Sequence, residues 1–286
     1  MGTVDYWSNA FTPERLALWE RAVAGAGIPV KIRTKPDDSF CDPEEMIERM
    51  DELGIDTLVL VVADPDAWRG VHDFTSVAAA SVGQVDKLAE RFPGRFVAQW
   101  SYDPQAGSDG VRRARAALSK PWTVGLHLHT HSFDRPFDHA DHYPFYSLAA
   151  EVGVPVVMQA GSSGGLSPSA CGAPIGIDRP ALYFPEVNFV LSHTGWPWVE
   201  EAISMALKFP NVYLGTAVYP ARHWNESLRR FVGGAGRRKV LYGSGFPAAG
   251  HRHTLAQLGE LELSQEALSN YLGENARRVF GARLSA

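Results

Sequence analysis

Short apolar, β-branched runs recur along the chain, each followed by residues whose apolar positions repeat at helical spacing. That alternation marks a parallel sheet built from βα units. Eight runs read as strands: 3–7, 57–63, 96–101, 123–129, 154–160, 188–193, 212–216 and 239–244. Runs such as TLVLVVA and VPVVMQA are apolar almost throughout, as strands covered on both faces must be. Between them, CDPEEMIERMDELG has a helix start in Asp42 and Pro43 and a stop in Gly54, and its Met46, Ile47, Met50 and Leu53 share one face. Further helices are predicted near 75–91, 110–119, 142–152, 198–208, 223–231 and 265–279. Eight such units predict an α/β fold, a distorted (β/α)8 TIM barrel occupying residues 1–286 as one domain.

Composition narrows the function classes. The 286 residues carry 27 basic and 32 acidic side chains, a formal charge of −5, and neither sign runs in blocks, so a nucleic-acid partner is not expected. No apolar stretch is long enough for a membrane span, and the N-terminus lacks the pattern of a secretory signal. Two cysteines, Cys41 and Cys171, are too few for a disulfide framework or a thiolate metal site. A cytoplasmic protein acting on a small molecule is the expectation, and an excess of arginine over lysine (21 to 6) suggests a bacterial source. Homo-oligomerisation is open, with WPWVEEAI as a surface for it. No G-x-G-x-x-G or Walker motif follows the first strand, and GSSGG at 161–165 lacks the strand-to-helix setting of a serine nucleophile elbow.

In such a barrel chemistry belongs at the C-terminal strand ends. Taken in order these offer Trp7 and Asn9, Asp64, Ser101, His127 and His129, Gln159, His193, Thr216, and Ser244 with Gly245. His193 closes the run NFVLSHTG, where an imidazole can exchange a proton near neutral pH. His127 and His129 share a strand face and offer either two hydrogen-bonding imidazoles or two ligands to one metal, which would need a third. His131 lies past the strand in a direction the pattern does not fix. Tyr219 and Arg222 follow the seventh strand, where Arg222 suits a carboxylate. The serine-rich loop at 159–176 suits a lid, and Trp7, Trp100, Trp196 and Trp198 suit an aromatic lining.

FPEVNFVLSHTGWPWVEEAISMALKFPNVYLGTAVYP, followed by GRRKVLYGSGFP, resembles the second half of the amidohydrolase-related proteins that include the aminocarboxymuconate-semialdehyde decarboxylase group. VDYWSN stands where that family has Asp-x-His-x-His. The resemblance implies four metal ligands: two first-strand histidines, a fifth-strand histidine and an eighth-strand aspartate. Here those positions read Trp7, Asn9, Gln159 and Gly245, while His193 matches the family's sixth-strand catalytic histidine. The resemblance also implies metal-free members, such as pyrone-dicarboxylate lactonase-like proteins. The expectation is therefore a hydrolase or lyase without metal or other cofactor, opening a lactone or ester or removing carboxylate from a small cyclic or aromatic carboxylate. His193 would be its general acid or base, with His127 and His129 beside it and Trp7, Asn9, Gln159, Tyr219, Arg222 and Ser244 against the substrate. The alternatives are a metal relocated to His127 and His129, and a non-catalytic binding protein on the same barrel.

Overall fold

The structure, a computed structural model, describes residues 2–26, 32, 35–64 and 78–285. Eight parallel strands follow one another around a barrel in sequence order: β1 (Thr3–Ser8), β2 (Ile55–Ala63), β3 (Phe96–Ser101), β4 (Thr123–Leu128), β5 (Val156–Met158), β6 (Phe189–Leu191), β7 (Val212–Gly215) and β8 (Val240–Leu241). The last meets the first through Tyr6 N–H to Tyr242 O at 3.1 Å and Gly245 N–H to Trp7 O at 3.0 Å, with a bridge between Ser8 and Phe246. The (β/α)8 reading of the sequence holds. The predicted runs at 154–160, 188–193 and 239–244 overshoot β5, β6 and β8, past which single backbone bonds continue, as from Gln159 N–H to Leu128 O and from Ser192 N–H to Met158 O, both at 3.0 Å.

Strand alternation separates two apolar layers. Val4, Val59, Val61, Val97, Val157, Val190, Tyr213 and Leu241 fill the barrel, whereas Leu58, Leu60, Phe96, Val156, Phe189 and Leu214 pack outward against the helices. Ala276, Val279, Phe280 and Leu284 from the C-terminal segment join the inner layer. They close the N-terminal end of the barrel, and each fully buried large side chain there stabilises the fold by about 1.5–3 kcal/mol.

β1 departs from plain alternation in a way that shapes the opposite end. Asp5 pairs with Leu58 and Ser8 with Leu60, three steps on one strand against two on the other, a bulge that turns both Tyr6 and Trp7 inward. The Asp5 carboxylate fastens it, accepting from Trp7 N–H (3.1 Å), Ser244 N–H (2.9 Å) and Ser244 Oγ (2.5 Å). Tyr6 then lies across β7 and β8, where a Cβ at Gly215 would sit 2.0 Å from its hydroxyl and one at Gly243 2.5 Å from its ring. Only glycine admits that approach.

The helices largely follow the pattern. Pro43–Leu53 starts at Asp42, whose side chain makes no capping bond, and stops at Gly54 in the left-handed region (φ 67°). Val82–Arg91 begins with a Ser81–Gln84 capping box; residues 75–77 of the predicted helix lie outside the described residues. The helix Pro13–Ala26 is not foreseen by the periodicity, and none of its described side chains is fully buried, so it writes no clean apolar stripe. The predicted helix at 265–279 is interrupted by a π-helical turn at Asn270–Glu274.

Candidate active site

At the C-terminal end of the barrel, Trp7 stands between two imidazoles. Its ring centroid is 4.7 Å from that of His127, edge-on, and 4.8 Å from that of His193. All three side chains are buried. The β1 bulge delivers the indole, β4 carries His127 inward beside Ser101 of β3, and the turn after β6 presents His193.

The backbone at that turn is strained. His193 and Thr194 both have φ of 57° and Gly195 has 71°. Left-handed non-glycine residues cost of order 1–3 kcal/mol each and persist where the surroundings enforce them. Here His193 Nδ1 is 2.9 Å from Ala217 O. A carbonyl only accepts, so Nδ1 carries the proton and Nε2 of the neutral ring presents a lone pair. Burial pushes the His193 pKa down to about 4 and the His127 pKa to about 3, so both rings are neutral at pH 7.

The remaining histidines divide between the mouth and its support. His129 lies just past β4, its ring centroid 6.4 Å from that of His127, with Nδ1 2.7 Å from Ser132 Oγ. His131, undirected in the sequence, is buried and bonds through Nε2 to Gly161 O at 2.9 Å, tying the start of the serine-rich loop to the turn after β4. That loop is internally bonded, Ser162 to Ser169 at 3.1 Å and Ser163 to Ser167 at 2.5 Å, with Leu166 exposed near its tip.

Several sequence-level expectations meet a different arrangement. Asn9 spends one amide N–H on Phe246 O at 2.6 Å and holds a buried Oδ1 without a partner among the described residues. Gln159 likewise holds an unpartnered Oε1. Ser244 is fully buried and bonded to Asp5, which makes it a closure residue rather than a substrate contact. Arg222 is bound to its own neighbours, donating to His253 Nε2 at 3.0 Å, and Tyr219 packs on exposed Trp196 at 6.3 Å. The tryptophans therefore form no common lining: Trp7 alone is at the histidines, and Trp100 belongs to the outer layer. Cys171 is buried and its thiol pKa is raised by burial to about 11, which leaves it inert. Asp64 is paired with Arg113 at 2.9 Å.

Asp5, Ser132 and buried His251, whose Nε2 lies 3.3 Å from Asp5 Oδ2, were not singled out as site residues. Asp5 had a signal, being the acid of the Asp-x-His-x-His position. A cleft of about 630 Å3 lined by Val4, Asp56, Arg95 and Arg277 opens at the other end of the barrel. Its charges are already paired, Arg95 with Asp51 and Arg277 with Asp56, and it adjoins no strand end that bears a base.

A family model described as Amidohydrolase matches residues 33–282. The chain belongs to the amidohydrolase family. Membership supports an enzyme of the amidohydrolase superfamily over a non-catalytic barrel. No match is found among curated proteins. Among solved structures, an uncharacterised TIM-barrel protein from Bordetella bronchiseptica is 20% identical over the whole of both chains with a TM-score of 0.74. A 5-carboxyvanillate decarboxylase from Novosphingobium aromaticivorans with bound manganese is 15% identical over 98% of this chain and 97% of its own, TM-score 0.68. A dihydroxybenzoic acid decarboxylase from Polaromonas with bound manganese and 2-nitroresorcinol is 16% identical over 98% and 96%, TM-score 0.65. At these identities the likeness establishes the fold.

The manganese in two of these structures corrects one expectation. A cofactor-free site was anticipated from the altered ligand positions, yet similar barrels carry a metal, and of the two readings that finding favours the metal-dependent one. The residues at the family's ligand positions are poor donors for such an ion. Trp7 fills the space between His127 and His193 with carbon, and Asn9 and Gln159 are amides. At Gly245, with φ 67°, a Cβ would come 2.4 Å from Val218 N, which leaves no room for an aspartate. No group of three His, Cys, Asp or Glu side chains converges among the described residues, around His127 and His129 or elsewhere. These residues do not fit a metal held in the family's manner.

Proposed function

We propose that this amidohydrolase acts on a small aromatic or cyclic carboxylate, by decarboxylation or by hydrolysis of a lactone or ester, with His193 as the general acid and base. The observation that carries this is the His193 geometry: a neutral imidazole, fixed by Nδ1–H to Ala217 O in a strained turn, with the Nε2 lone pair available at the strand ends. Such a ring takes a proton from water or a substrate hydroxyl and returns it to a leaving group or a carbanion. His127 lies across the Trp7 indole from His193, with His129 next to it, and the two imidazoles supply hydrogen bonds to carboxylate oxygens or a developing oxyanion, while the indole gives a planar substrate an apolar wall. The carboxylate class draws support from the decarboxylases of similar fold, which act on ring carboxylates.

The manganese of those structures favours a second reading, a metal-assisted reaction with His127 and His129 as relocated ligands; the described residues supply no third donor for it. The substrate reading is tested by incubating the protein with hydroxybenzoates and cyclic lactone carboxylates, with and without added manganese, while following carbon dioxide release and ring absorbance. Turnover of at least one carboxylate is expected, and inertness towards the whole panel under both conditions refutes it.

A further inference from the structure

Six large apolar side chains stand exposed among the described residues, and all of them fall between residues 166 and 207: Leu166, Ile175, Leu182, Tyr183, Trp196 and Leu207, each 50–77% exposed. A single exposed leucine needs no explanation, but six from one stretch of chain do. Three contacts gather them on one side of the barrel, over the helices that flank β6. Lys208 pairs with Asp178, which joins the end of the helix Val199–Lys208 to the start of the helix Asp178–Tyr183. Leu182 lies one turn beyond Asp178 on the same helical face, and Leu207 is the chain neighbour of Lys208. Ile175 donates its N–H to Glu201 Oε1 of the second helix at 2.6 Å. Ser162 N–H bonds to Trp196 O at 2.7 Å, which brings the loop bearing Leu166 to the start of that helix. Of the WPWVEEAI segment, Trp196 belongs to this face, whereas Val199 is buried in the core.

We infer that this face is where two copies of the chain associate. Area, composition and charge all point to a second copy. The exposed parts of the six side chains come to roughly 600 Å², the upper end of what a monomer leaves to water and most of the about 800 Å² that each partner brings to a standard interface. Charge is thin here: the 43 residues from Leu166 to Lys208 hold six charged side chains, where the chain's 21% would give about nine, and such depletion marks the core of an interface. Two acids are already engaged, Glu200 by Asn225 Nδ2 and Glu201 by Ile175 N–H. Elsewhere on the face acid stands beside base, Asp178 with Lys208 and Asp138 with Arg179. That pattern is complementary to itself, because a two-fold rotation can set the acids of one copy against the bases of the other. Two chains of formal charge −5 thereby meet without opposing like charges at these pairs. An anionic membrane fits poorly, since four of the six charged side chains are acidic and such a surface selects lysine and arginine.

Sedimentation velocity of the full chain over a range of micromolar concentrations reads the association directly. Wild type is expected to sediment as a dimer. Leu182→Lys and Leu207→Glu replace side chains that are already more than half exposed, so circular dichroism and thermal unfolding of the monomer should change little. Each is expected to raise the dimer dissociation constant about tenfold or more, and the double variant to sediment as a monomer. A wild type that stays monomeric throughout overturns the inference whether or not the variants fold. A dimer that persists undiminished in the folded double variant overturns it as well, because the copies then meet through another face. A monomeric wild type that co-sediments with phosphatidylserine vesicles overturns it in favour of a membrane.

Discussion

Acid should unfold this protein through its interior histidines. Burial holds His127, His142 and His193 at pKa values of about 3, 4 and 4, whereas each titrates near ~6.5 in an unfolded chain. Between those limits the unfolded state binds protons that the folded state refuses, so stability rises with pH across the window and falls on acidification. The loss begins near ~6.5 and levels off only when the folded rings themselves protonate. At pH 5 each histidine removes about 2 kcal/mol relative to neutral pH, and the three together roughly 6 kcal/mol, against about 5–15 kcal/mol for a whole domain. Urea unfolding followed by circular dichroism between pH 7.5 and 5 measures the slope. His142→Gln, which lies outside the mouth and packs against Tyr102 and Tyr146, should lower stability at every pH and lessen the loss between those limits by about 2 kcal/mol. Carboxylates add little above pH 5 and act equally in both proteins. An identical loss in wild type and His142→Gln would refute the reasoning.

Other consequences are equally direct. Asp5→Ala leaves the Trp7 and Ser244 N–H groups and the Ser244 hydroxyl unpaired in the interior, at about 1–3 kcal/mol each, and should prevent stable folding. Asp5→Asn keeps one acceptor and should lose clearly less in urea melts; equal losses would show that the carboxylate is not what fastens the bulge. Trp7→Ala opens a cavity between His127 and His193 and should cost about 3–5 kcal/mol, measured by thermal unfolding, with a loss under 1 kcal/mol contradicting the packing. Gly245→Asp restores the family's acid where φ is 67° and a Cβ meets Val218 N at 2.4 Å. It should destabilise by more than about 2 kcal/mol without adding metal affinity, and a stable, manganese-binding variant would overturn that account of the site.

The barrel was legible because its strands alternate with amphipathic helices, as in TLVLVVA and the helix at Pro43–Leu53, and eight repetitions leave few other folds. His193, His127 and the four altered ligand positions were visible because strand ends can be located from apolar runs. Proton placement was not. Whether Asn9 offers N–H or O depends on Phe246, and whether Ser244 faces a substrate or Asp5 depends on where the barrel closes, 239 residues along the chain. The β1 bulge that turns Trp7 onto the histidines is a mismatch between two strands, and a single run of residues such as VDYWS carries no sign of it. The His193 tautomer depends on a contact of the same long-range kind, with Ala217 O.

The central claim is that the Nε2 lone pair of His193 carries the proton transfer. Its most direct test is kcat/KM against pH for wild type and His193→Ala, on whichever ring carboxylate the substrate panel yields, with circular dichroism confirming that the variant is folded. Wild-type activity should stay level from neutral pH down towards 5 for as long as the protein remains folded, because the ring stays neutral over that range. The variant should lose about 10²- to 10⁴-fold throughout. A folded His193→Ala variant that turns over as fast as wild type would contradict the account.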